Sequence, residues 1–174
     1  MVDLNCRLLL PLALMLVSAS PLSAQPRHAE AHVHGTGLLM MVVDGSTVSI
    51  ELTIPGSDIV GFERQATTPE ERSSVENAIA TLSQPTGLFA FTPDTACTVK
   101  AATAEFGAHD DHHHAEFTAS YALDCPGLAA GDVELRTGLF DQFNRAEALN
   151  VDGLVDGVAQ SGTLTRQQPA MTLR

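Results

Sequence analysis

Seven histidines in this chain of 174 residues gather in two places, with none between them. His28, His32 and His34 lie within H-A-E-A-H-V-H-G, and His109, His112, His113 and His114 within H-D-D-H-H-H-A-E-F. Imidazole nitrogen and carboxylate oxygen are ligands suited to zinc. Along a strand, residues i and i+2 point the same way, about 6–7 Å apart at the backbone. His32 and His34 can therefore converge on one ion. His112, His114 and Glu116 can do the same if the strand that follows begins early enough. These five residues are the expected primary metal ligands. His109, Asp110, Asp111, His113 and His28 form the expected secondary set, a polar loop and an N-terminal residue that collect cations loosely. Imidazole must be neutral to bind metal, so affinity is expected to fall as pH drops through about 6.5.

Catalysis is poorly supported by the same residues. The chain has no G-x-S-x-G, no H-E-x-x-H and no glycine-rich phosphate loop. A zinc hydrolase would need a general base, and Glu30 or Glu116 would qualify through proximity alone. The expected role is binding, not an enzymatic reaction. Composition agrees with a cation as ligand: 9 Lys+Arg stand against 21 Asp+Glu, a formal charge of -12. Nucleic acids and anionic membranes are bound through clustered Lys and Arg, so neither is an expected partner. Two rival readings share these residues. One is another transition metal such as copper, which nitrogen sites favour over zinc. The other is an extracytoplasmic interaction module in which zinc is structural.

The elements that must position these residues begin after an export signal. Arg7 precedes the apolar run Leu8 to Val17, and small residues follow. The run is too short to span a bilayer and reads as a signal peptide, residues 1–24, cleaved after Ala24. The mature chain, 25–174, is then a single zinc-binding domain with no membrane insertion. Cys6 leaves with the signal, and the two remaining cysteines, Cys97 and Cys125, are expected to form a disulfide in an oxidising compartment.

Ala31 to Asp44 reads as a strand, Asp44-Gly45 as a hairpin turn, and Thr47 to Ile54 as its alternating partner. Thr68, Pro69 and Glu71 have the N-cap, first-position and capping-box spacing of a helix over Pro69 to Ser83, whose apolar face is Val75, Ala78, Ile79 and Leu82. Ala96 to Phe106 and His114 to Cys125 read as an antiparallel pair. With Cys97 opposite Cys125, Val99 faces Leu123, Ala101 faces Tyr121 and Thr103 faces Ala119. Val133 to Leu139, Leu149 to Leu154 and Val158 to Leu164 complete the strands. The expected fold is α+β and β-rich, with antiparallel sheets, one main helix and one disulfide. A weak echo suggests an internal repeat about a pseudo-twofold. His-x-His precedes a strand at His32/His34 and again at His112/His114. A Phe-containing segment, Gly61-Phe62-Glu63 or Leu139-Phe140-Asp141, follows the second strand of each half.

Taken in order, E-A-H-V-H-G (Glu30 to Gly35), P-G-S-D-I-V-G-F-E (Pro55 to Glu63), Cys97 with Cys125, and H-A-E-F (His114 to Phe117) resemble the ZrgA family. Those are zinc-regulated, periplasmic zinc-binding proteins of Gram-negative bacteria, and the resemblance runs from about Glu30 to Leu164. It implies a periplasmic zinc binder that supports high-affinity import, with the solute-binding component of a zinc ABC importer as partner. It also places the family's histidine-rich segment at His109 to His114. Two departures stand out. Arg64 follows G-F-E where the family pattern has a histidine, so no metal role transfers there. The histidine-rich loop is also short.

Overall fold

A computed structural model describes residues 35–92, 96–108, 114–128 and 133–173. All of them fall within one compact unit, Ala31–Arg174. The expected signal peptide, His28, His32, His34 and the loop 109–113 lie outside the described residues.

The first hairpin forms as its alternation requires. β1 (Thr36–Asp44) and β2 (Thr47–Pro55) pair antiparallel, and Val48, Ile50, Leu52 and Ile54 are all buried on one face. A single helical turn, α1 (Gly56–Ile59), follows directly, and then α2 (Pro69–Leu82), the main helix. The α2 N-terminus has the expected capping box, with Thr68 accepting from the Glu71 amide and the Glu71 carboxylate accepting from the Thr68 amide. Ala78 and Leu82 are buried and Val75 and Ile79 pack beside them, so the helical spacing of those four residues defines its inner face. A short 3₁₀ turn at Pro85–Gly87 ends this region.

The remaining elements are β3 (Phe89–Thr92), β4 (Thr98–Ala108), β5 (Ala115–Asp124), β6 (Val133–Thr137), α3 (Leu139–Gln142), β7 (Ala148–Val155), β8 (Val158–Thr165) and β9 (Ala170–Leu173). They assemble into a six-stranded sheet, ordered β4-β5-β2-β1-β7-β8, and a three-stranded sheet, ordered β3-β6-β9. The small sheet and α2 cover one face of the large one. Phe89 meets Tyr121 edge to face at 5.8 Å, and the Tyr121 hydroxyl donates to the Leu82 carbonyl at 2.7 Å. Burial holds that phenol neutral by raising its pKa. A single apolar core runs between the layers. Among the described residues no helix is long and apolar enough to cross a membrane.

Three readings change. β1 and β7 pair in parallel, in register Leu39↔Val151, within otherwise antiparallel sheets. Second, the Cys97–Cys125 disulfide forms and Val99 faces Leu123 as expected, but a bulge between Val99 and Ala101 then shifts the register by one. Ala102 faces Tyr121, Ala104 faces Ala119 and Phe106 faces Phe117, where Ala101 and Thr103 were expected on the inner face. An extra residue at Lys100 reverses which side each later side chain takes. Lys100 itself pairs with Asp124 at 3.2 Å, which keeps that carboxyl below its ordinary range. Third, the internal echo is not carried by pairing. β1 and β2 are neighbours in one sheet, whereas β5 and β6 lie in different sheets, although a single helical turn follows the second strand of each half.

Candidate metal centre

The chain leaves β2 at Pro55 and turns through α1 into the segment Val60-Gly61-Phe62-Glu63. Val60 and Gly61 donate their amides to the Gly56 carbonyl at 2.8 and 3.2 Å, and Gly61 takes φ +88°, a left-handed conformation that suits glycine. The turn thereby carries two carboxylates in sequence, Asp58 and Glu63, each of which reaches a segment distant along the chain.

Glu63 reaches His114. Its Oε2 lies 2.7 Å from His114 Nδ1, across 51 residues of sequence. The Glu63 side chain is 13% exposed and that of His114 is 62% exposed. An ionised carboxylate only accepts, so the hydrogen lies on Nδ1, and in the neutral imidazole this tautomer leaves the lone pair on Nε2. Backbone fixes the same approach, because Ala115 N–H donates to the Glu63 carbonyl at 3.0 Å. Behind it, Phe62, Phe106 and Phe117 form a run of ring contacts at 6.1 and 4.5 Å.

Asp58 reaches the residue that follows His34. It is 4% exposed, and both of its oxygens accept from the Gly35 amide at 2.9 Å. The Gly35 carbonyl in turn accepts from Glu147 and Ala148 at 3.0 and 2.8 Å. Ser57 stands between the two carboxylates. Its hydroxyl hydrogen is shared between Glu63 Oε1 at 2.7 Å and Asp58 Oδ1 at 3.1 Å.

An imidazole whose Nδ1–H is held by a carboxylate is the arrangement that orients a histidine for metal, with the carboxylate raising ligand basicity. The direction of His114 is set by Glu63 and not by strand alternation, because β5 begins one residue later, at Ala115. His114 thus stands just before the strand that carries Glu116, and His112 lies outside the described residues. Glu116 is half-buried within β5, opposite Gly107 of β4 and Pro55 of β2. Among the described residues no three His, Cys, Asp or Glu side chains converge as a metal site. Sequence reasoning missed the parts played by Glu63, Ser57 and Asp58. All three stand in the P-G-S-D-I-V-G-F-E segment, which contributed to the family resemblance without indicating a role for them.

Arg64, which follows Gly61-Phe62-Glu63, turns toward α2. Its guanidinium grips Glu71 with two hydrogen bonds of 2.6 and 3.0 Å and lies 5.1 Å from the Phe62 ring centroid. The Arg64 hydrogen bond is the first cause, and the Thr67 amide the second, of a Glu71 pKa held well below the usual carboxylate range.

No curated protein matches the chain. A family model described as ZrgA family zinc uptake protein matches residues 31–173, which include the turn, His114 and the disulfide. The chain belongs to the ZrgA family of zinc uptake proteins.

Proposed function

We propose that this protein is an exported zinc carrier of the periplasm. It captures zinc at a site built around His114, buffers it, and supports uptake through the solute-binding component of an ABC importer. The observation that carries this reading is the 2.7 Å contact between Glu63 and His114 Nδ1, which presents Nε2 as a ligand. His32, His34 and His112 supply further imidazoles to the same ion, with Glu116 as a carboxylate ligand. His28, His109, Asp110, Asp111 and His113 collect ions around it. Glu63 already accepts from Ser57 and His114, so it acts as an orienting group. Binding is the assigned role on that ground.

Calorimetric zinc titration of the mature chain tests the reading. His114→Ala is expected to weaken the tightest zinc site by at least roughly 10-fold, and Glu63→Gln by roughly 10- to 100-fold, the range seen when an orienting carboxylate is lost. Unchanged affinity and stoichiometry in both variants would sink the site.

A further inference from the structure

β1 is apolar at consecutive positions from Leu38 to Val43. A run of that kind ordinarily marks a strand covered on both faces, whereas a strand with one wet face alternates. The neighbouring β2 does alternate and turns Ser49 and Glu51 outward. β1 buries Leu39, Met41 and Val43 in the core, yet Leu38, Met40 and Val42 are 37%, 45% and 45% exposed on the other face. Strand register adds to this patch. Val42 faces Ser49 of β2 and Leu154 of β7, and Leu154 faces Ala159 of β8. Met40 lies between Glu51 and Asp152. Met40, Val42, Leu154 and Ala159, with those two carboxylates, line an open groove of about 440 Å³.

We infer that this outer face docks a second protein, one whose contact surface has an apolar centre bordered by Lys or Arg. An exposed apolar patch rimmed by polar groups is the usual form of a protein-binding surface, and methionine adapts its shape to an incoming side chain. The rim decides the partner. Glu51 and Asp152 flank Met40, and among the described residues no Lys or Arg lines the groove. Against a neutral or acidic surface those carboxylates would lose water without gaining a partner. A basic border satisfies them. A second copy does not, because the same face docked on itself sets Glu51 and Asp152 against their counterparts. Each chain also carries a formal charge of -12. The groove shares no residue with the Glu63–His114 contact, so docking and zinc binding can fail separately.

Photo-crosslinking in the native bacterium tests the surface, with a benzophenone amino acid in place of Ser49 in the full chain. The expected product is a covalent adduct with one other protein, whose crosslinked peptide places an apolar residue beside Lys or Arg. That protein, purified, is then titrated with the mature chain. Met40→Thr combined with Val42→Thr keeps residues that suit an exposed strand, so the fold should hold. It is expected to weaken binding by at least roughly 10-fold. Raising salt from about 0.05 to about 0.5 M is expected to weaken wild-type binding by roughly 5-fold, and Glu51→Gln with Asp152→Asn to reduce that dependence. An adduct with a second copy, an adduct with residues 25–34 of the same chain, or no protein adduct overturns the inference. So does a partner whose binding ignores both the apolar variant and salt.

Discussion

Gly56 shows how closely the candidate centre is built. A Cβ placed there would sit 2.4 Å from the Phe62 carbonyl oxygen and 2.7 Å from that of Ala115. Both atoms belong to backbone, one preceding Glu63 and the other following His114, so neither can swing aside. Gly56→Ala is expected to cost about 1–3 kcal/mol by overpacking, read by urea unfolding. The same strain should loosen the Glu63–His114 contact and weaken zinc in parallel. A variant as stable as wild type would show that the close approach has slack. The requirement at this position is for a missing side chain, since the backbone itself is helical there.

Among the elements, α2 is stabilised at its start more firmly than its modest apolar face suggests. Glu71 serves twice: its carboxylate accepts from the Thr67 and Thr68 amides, and it holds Arg64 with two bonds. Thr68→Ala removes the opposing half of the capping box and is expected to cost about 1 kcal/mol. Because the folded pKa of Glu71 is depressed, its contribution is present above the ordinary carboxylate pKa and is lost as pH falls below it. Thermal unfolding should therefore show a smaller loss between pH 7 and pH 3 in Glu71→Gln than in wild type. Identical pH profiles would mean the surface pair contributes nothing measurable. β4 illustrates the opposite case, an element with no local mark of its key feature. Nothing about Lys100 in the text A-C-T-V-K-A-A-T distinguishes a bulge from a regular strand, yet it decides that Ala102, Ala104 and Phe106 face inward.

For the whole molecule, the described residues are held by one apolar core and one disulfide. The apolar cluster draws on both sheets and on α2, and the Cys97–Cys125 bond ties the approach to β4 to the end of β5, 28 residues apart. Reduction is expected to remove about 3–4 kcal/mol in the chain-entropy picture, measured by urea unfolding with and without reductant. Chelation should act differently. The metal-free protein is expected to retain one cooperative thermal transition, and saturating zinc to raise its stability by linkage. That gain is about 2.7 kcal/mol when free zinc is 100-fold above its dissociation constant. Loss of the transition on chelation would favour the structural-zinc alternative over a carrier.

What the sequence by itself determined is local or carried by a strong pairing constraint. The β1–β2 hairpin, the capped start of α2, the strand at β5 and the link between Cys97 and Cys125 all follow from period, turn residues and two cysteines. Tertiary structure alone decided the rest. β3 and β9 have four residues each, too few to establish an alternation, and become strands because β6 lies between them. The parallel pairing of β1 with β7 joins segments more than a hundred positions apart, with no turn to announce it. His114 was legible as a candidate ligand because histidines cluster visibly in a sequence. Asp58 and Glu63 were not, because a carboxylate acquires an orienting role only when a distant donor is brought to within about 3 Å of it, and only the folded chain brings Gly35 and His114 that close.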